Sequence, residues 1–139
     1  MARRRKLEDF EGSWILRRRI IGRDGPAGIF NGGAIWKADM GGLLYTEVGL
    51  LQMTGKPPRR MERRYRWGAD LSIFFEDGKF FHRVPPEGGG GKHWVGEELY
   101  SVQYRFDTWP VFESVWRVKG PISDYALISR YEFSEGPAY

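Results

Sequence analysis

Residues 98–107 read ELYSVQYRFD, and their alternation decides the fold. Tyr100, Val102, Tyr104 and Phe106 occupy every second position, with Leu99, Ser101, Gln103 and Arg105 between them. Successive side chains of a β-strand point to opposite faces, so this spacing makes one aromatic face and one largely polar face. No helical stripe passes through it.

The same rule extends in both directions. Downstream, VFESVWRVKG (111–120) aligns Phe112, Ser114, Trp116 and Val118 against Glu113, Arg117 and Lys119, and YALISRYEF (125–133) ends the pattern. Upstream, DLSIFFEDGKFFHRV (70–84) predicts a hairpin with a two-residue primed turn at Asp77 and Gly78. Its second arm places Phe80, His82 and Val84 on one face. MERRYRWG (61–68) groups Met61, Arg63, Tyr65 and Trp67; IFNGGAIWKA (29–38) groups Phe30, Gly32, Ala34 and Trp36. Turns fall at GRDGPAG (22–28), DMGG (39–42) and TGKPPRR (54–60), and the four glycines of PPEGGGGK (85–92) predict a flexible loop. Eight to ten short strands in consecutive order, with no connection long enough for a crossover helix, predict an all-β, antiparallel up-and-down barrel. A barrel of this strand number can enclose a small-ligand cavity.

Length and composition agree. The 139 residues fit one domain, expected over residues 10–139 behind a basic segment at 1–9. Six Trp, seven Tyr and nine Phe supply a core of large flat side chains. The absence of cysteine excludes disulfides, thiolate metal sites and cysteine nucleophiles. MARRRK is not followed by an apolar signal core, and no run of about 18 apolar residues exists, so a soluble cytoplasmic protein without a membrane partner is expected. The net charge of +4 is modest. GGGGKH fails the phosphate-loop pattern at Pro86 and His93, and no serine stands in a nucleophile-elbow context.

Polar groups interleave with aromatics on the expected inner faces: Arg18, Tyr45 and Glu47, Arg63 and Tyr65, His82, Tyr100 and Tyr104. Facing a lumen, with Trp116 and His93 nearby, they would form a ligand site; buried arginine is equally often held by a glutamate merely to satisfy itself. In LLYTEVGLL (43–51) the more apolar face is Leu44, Thr46, Val48 and Leu50, and burial alone would turn Tyr45 and Glu47 outward. His82 and His93, the only histidines, flank the glycine-rich stretch and are too few for a metal site, so neither a metal nor a cofactor is expected.

Gly12, Ser13 and Trp14 resemble the Gly-x-Trp that opens lipocalin-type barrels, and Ser123, Asp124 and Tyr125 resemble the Asp-Tyr element near their end. That resemblance implies that Arg130 packs over Trp14 and closes the barrel base, a cation–π contact worth about 1 kcal/mol. Over nearly the whole chain, through GSWILRRRI, LLYTEVG, RRYRW, FEDGKFFH, HWVGEELYSVQY and WRVKGPISDY, the sequence is similar to a mostly bacterial, calycin-like family of unknown function numbered 6314. Val95, Glu98 and Ser123 stand where that resemblance leads one to expect a cysteine, an aspartate and a lysine.

Three functions follow. The first is a binding barrel holding a small anionic or aromatic molecule against Arg18 or Arg63. The second, implied by calycin-like decarboxylases and cyclases, is a lyase or isomerase in which Tyr45 or Tyr65 orients the substrate and Glu47, its pKa raised by burial, is the acid or base. The third and least favoured is nucleic-acid binding by the basic outer faces, where arginines and aromatics are not interleaved. A homodimer is compatible with each.

Overall fold

The computed structural model describes residues 4–136. Residues 1–3 of the expected basic segment and residues 137–139 of the expected domain lie outside the described residues. A short helix, α1 (Leu7–Phe10), is followed by ten strands: β1 (Gly12–Gly22), β2 (Gly25–Asp39), β3 (Gly42–Met53), β4 (Arg59–Trp67), β5 (Ser72–Phe74), β6 (Phe80–Arg83), β7 (Gly89–Val95), β8 (Glu98–Arg105), β9 (Val111–Lys119) and β10 (Asp124–Glu135). They form one sheet in the order β6-β5-β4-β3-β2-β1-β10-β9-β8-β7, every pair antiparallel. The expected all-β, up-and-down architecture is the one observed, as a nearly closed barrel.

Closure comes from pairing the first strand with the last, Arg18 opposite Ser129 and Leu16 opposite Tyr131. One seam stays open, because β6 and β7 share no backbone ladder. Side chains bridge it: His82 on β6 reaches the Tyr104 hydroxyl on β8 at 2.7 Å, and Phe81 packs on Tyr100 and Trp116 with centroids 4.9 and 5.1 Å apart.

The period-two reading gives the inner faces of β1, β2, β4, β8 and β9 correctly. On β3 burial logic fails, since Leu43, Tyr45 and Glu47 are buried while Leu50 is exposed. The hairpin at residues 70–84 also differs. Its loop has three residues, Glu76 to Gly78: the Gly78 amide donates to the Phe75 carbonyl and the Phe75 amide to that of Lys79, both at 2.9 Å, with only Gly78 at positive φ (88°). The two-residue primed turn occurs instead at Met40 and Gly41, with φ of 51° and 82°. Phe81 and His82 are both buried and Phe80 is exposed, so β6 does not alternate simply. The glycine-rich stretch is a strand rather than a flexible loop: Gly89–Gly91 pair with Tyr104, Gln103 and Val102. Gly90 suits that place because a Cβ there would lie 1.9 Å from the Val102 carbonyl oxygen.

The lumen divides into a filled half and an open half. At the base, α1 inserts Phe10 among Trp36, Trp67, Phe106, Trp109 and Phe112, all with centroids within 6.0 Å, and Trp14 Nε1 donates to the Phe10 carbonyl at 2.9 Å. Such edge-to-face packing fills the base with aromatic area. The stretch before α1 belongs to this plug as well. Arg5 is only 6% exposed, with its guanidinium 4.4 Å from the Trp109 ring, and its amide donates to the Pro86 carbonyl at 2.8 Å.

Arg130 does not take the expected place over Trp14. It is exposed on the outer face, with Nη1 3.8 Å from Glu113 Oε1, because the pleat that turns Ser129 and Tyr131 toward the lumen turns the residue between them outward. The cation–π contact at the base is made by Arg5 on Trp109, a ring that itself packs 5.3 Å from Trp14.

Candidate ligand-binding site

At the floor of the open half, Arg18 from β1 meets Glu47 from β3. Both are buried, at 7% and 3% exposure. Arg18 Nη1 donates to Glu47 Oε2 at 2.6 Å and Nη2 to Oε1 at 2.9 Å, a bidentate pair, while Nε donates to Ser129 Oγ at 2.7 Å. Tyr45 donates its hydroxyl proton to Glu47 Oε1 at 2.6 Å, which leaves the neighbouring Tyr131 hydroxyl, 2.8 Å away, to donate to Tyr45. Three strands, β1, β3 and β10, thereby converge on one carboxylate and its guanidinium. A charged pair removed from water survives only when its remaining donors and acceptors are filled in this way.

These contacts fix the protonation states. Burial pushes the Glu47 carboxyl upward, but the hydrogen bonds and charge of Arg18, the Tyr45 hydroxyl and the nearby Arg63 outweigh it and hold the pKa below the ordinary carboxylate value. Burial raises Tyr45, and raises Tyr131 to about 12, so both phenols keep their protons. The expectation of a Glu47 pKa raised by burial is therefore corrected: the group is an ionised acceptor already taking three hydrogen bonds from Arg18 and Tyr45.

Above this floor opens a cavity of about 340 Å³. Its walls are Ile20, Ala27, Phe30, Leu51, Met53, Met61 and Leu127, with Arg63, Glu62 and Tyr125 toward the solvent. Each wall residue is supplied by the mouth-side half of β1 to β4 or of β10. Arg63 is solvent-accessible, faces Glu47 across the β3–β4 pair, and has Nη1 3.4 Å from the Tyr65 hydroxyl. The Glu62 carboxylate is drawn to Arg64 at 2.6 Å and Arg60 at 3.7 Å.

Of the residues singled out from sequence, Arg18, Glu47 and Arg63 line this cavity, with Tyr45 and Tyr65 next to them. His82, Tyr104 and Trp116 form a separate group near the open seam: Trp116 Nε1 donates to the Tyr104 hydroxyl at 3.1 Å, and that hydroxyl meets His82 Nε2 at 2.7 Å. His82 is fully buried, and burial with the nearby His93, 5.5 Å away between ring centroids, lowers its pKa to about 3. Tyr100 is half-buried beside Phe81. None of this second group lines the 340 Å³ cavity.

Sequence reading missed Ser129, Tyr131 and Tyr125. All three lie at alternate positions of YALISRYEF, and the same rule applied to that strand points them inward.

Fold and site together define a one-ended antiparallel β-barrel, packed solid at its base and open at its mouth onto a buried ion pair. The chain belongs to a family of unknown function, DUF6314, whose model matches residues 10–133. No curated protein matches it.

Proposed function

We propose that this barrel is a binding module that holds one small, largely apolar molecule in its mouth cavity. The observation that carries the reading is the cavity itself: an otherwise densely packed lumen leaves about 340 Å³ open at one end. Apolar walls with a few convergent polar groups, in a volume of roughly 300–1,000 Å³, are the usual form of a small-molecule site. The likeness to lipocalin-type barrels, a mostly bacterial distribution, a cytoplasmic location and a homodimeric state belong to the same proposal. Among the described residues, no helix is long and apolar enough to cross a membrane.

The lyase or isomerase alternative needs Glu47 to exchange a proton near neutral pH. An ionised carboxylate held by three hydrogen bonds from Arg18 and Tyr45 favours anchoring over acid–base work. Of the basic outer residues, Arg64, Arg66 and Arg130 are paired with Glu62, Asp39 and Glu113, which weakens the case for nucleic acid.

The test is titration with N-phenylnaphthylamine, a neutral fluorophore that brightens in apolar surroundings, with native mass spectrometry for any retained compound. Wild type should bind one fluorophore per chain. Leu127→Trp, which fills the cavity from β10, should abolish binding while the far-ultraviolet circular dichroism stays that of the wild type. No brightening and no adduct in the wild type would sink the proposal.

A further inference from the structure

We infer that the cavity selects a monoanion, an apolar molecule bearing one carboxylate or similar oxyanion, and that Arg63 rather than Arg18 receives it. The inference rests on the mouth cavity being a ligand site.

Arg18 and Glu47 cancel one another through two hydrogen bonds, and Arg18 donates further to Ser129 and, at 3.5 Å, to the Tyr131 hydroxyl. Glu62 is turned to Arg64 and Arg60. At the rim, Arg23 Nε and Asp124 Oδ2 pair at 3.2 Å. Among the described residues no carboxylate forms an ion pair with Arg63. Its one hydrogen bond is the long one to Tyr65 Oη, at 3.4 Å. The cavity therefore carries one positive charge in excess, on a solvent-accessible guanidinium whose remaining N–H donors are available.

The walls sharpen the choice. Ile20, Phe30, Leu51, Met53 and Leu127 offer no hydrogen-bonding side chain, so a ligand group that needs solvation must reach Arg63 or the water outside. An oxyanion there gains charge-assisted, planar hydrogen bonds from the guanidinium, and its apolar remainder displaces water from the walls. The volume equals that of about 11 liquid waters, enough for a fused-ring or short-chain acid. A cation would face Arg63 directly. A dianion would bring its second charge toward Glu47, the ionised group opposite Arg63 in the β3–β4 pair. Glu47 thereby has two effects: it neutralises Arg18 and it disfavours doubly charged ligands.

The experiment is competition near neutral pH against bound N-phenylnaphthylamine by naphthoate, the neutral isostere naphthamide, and naphthyl phosphate. Naphthoate should compete about tenfold or more better than naphthamide, as expected for a charge-assisted contact, and better than the phosphate. Arg63→Gln should bring naphthoate and naphthamide together, and Arg63→Lys, which restores the charge, should restore the preference. If the fluorophore binds but naphthoate shows no preference over naphthamide, or if the preference survives Arg63→Gln, the inference is overturned and the cavity reading stands. Superior competition by the phosphate overturns the monoanion selection. Failure of the fluorophore to bind the wild type overturns the cavity reading and the inference with it.

Discussion

Arg18 shares a strand face with Trp14, Leu16 and Ile20, and its neighbours in sequence do not explain a charge there. Its partner lies on β3, 29 positions away, and the remaining bonds come from β10, more than a hundred positions away. Glu47 was harder to place, because the residues flanking it are more apolar than the face it shares with Tyr45. Local hydrophobicity loses there because Arg18 and Tyr45 solvate the carboxylate more strongly than a half-exposed Leu44 or Val48 gains from burial. His82 was legible only as an inward-facing residue of a hairpin arm. Its environment now carries a pH prediction. The folded pKa of about 3 lies below the ordinary 6.5, so between those values the unfolded chain binds more protons than the folded one. Stability should be full above pH 6.5 and fall as the pH drops toward 3, with loss of Glu47 ionisation adding in the same direction at the acid end. Urea unfolding across this range should show that slope, and His82→Gln should flatten it. An unchanged slope in His82→Gln would show that other groups carry the acid sensitivity.

Among the elements, β2 shows why composition alone misleads about glycine. Gly32 and Gly33 are adjacent and look interchangeable in sequence. A Cβ on Gly32, however, would lie 2.0 Å from the Val48 carbonyl oxygen and 2.5 Å from Gly49 Cα, whereas one on Gly33 would meet nothing closer than 3.6 Å. The β2 and β3 backbones approach closely at the Gly32–Gly49 pair, where a Cβ on Gly49 would likewise lie 2.3 Å from the Asn31 carbonyl oxygen. Gly32→Ala should therefore destabilise the barrel by about 1–3 kcal/mol through forced backbone displacement. Gly33→Ala should be neutral or stabilise by up to about 1 kcal/mol by restricting the unfolded chain. Denaturant midpoints of the two variants decide it, and equal shifts would contradict the close-approach account. The same physics explains why GGGGK was misread. Four glycines carry no facial pattern, so nothing in them signals a strand, although the partner carbonyl on β8 suits a residue without a side chain. Strand number, order and most inner faces were legible because large apolar side chains recur at alternate positions of β1, β4, β8 and β9, interrupted by Arg18, Arg63 and Ser114. Turn chemistry was legible in part: glycine marked the turns, while the number of residues in each depended on strand register.

For the molecule as a whole, strength is unevenly distributed. Every strand from β6 round to β7 is held by a backbone ladder, and the seam between those two is held by side chains and by the segment before α1, where Arg5 reaches the Pro86 carbonyl and Arg4 the Glu87 carboxylate at 2.5 Å. Backbone amides along β6 and the outer edge of β7 should exchange with solvent well before those of β1, β2 and β10 in native-state hydrogen exchange. Uniform protection around the barrel would contradict a seam of this kind. An exposed strand edge is also a hazard for unwanted pairing, and β6 is kept short while β7 carries Lys92 beside its glycines.

The plug at the base has a consequence for traffic. With Phe10, Trp14 and their neighbours closing the far end, a molecule in the mouth cavity has no second door, and whatever occupies the cavity stands in the path of its own replacement. Exchange then proceeds through the empty protein, and the rate at which one occupant leaves does not depend on how much of the next is waiting outside. For the ligand site proposed above, residence time then becomes a property of the pair alone, set by the mouth residues, and the cavity must be emptied before it can be refilled.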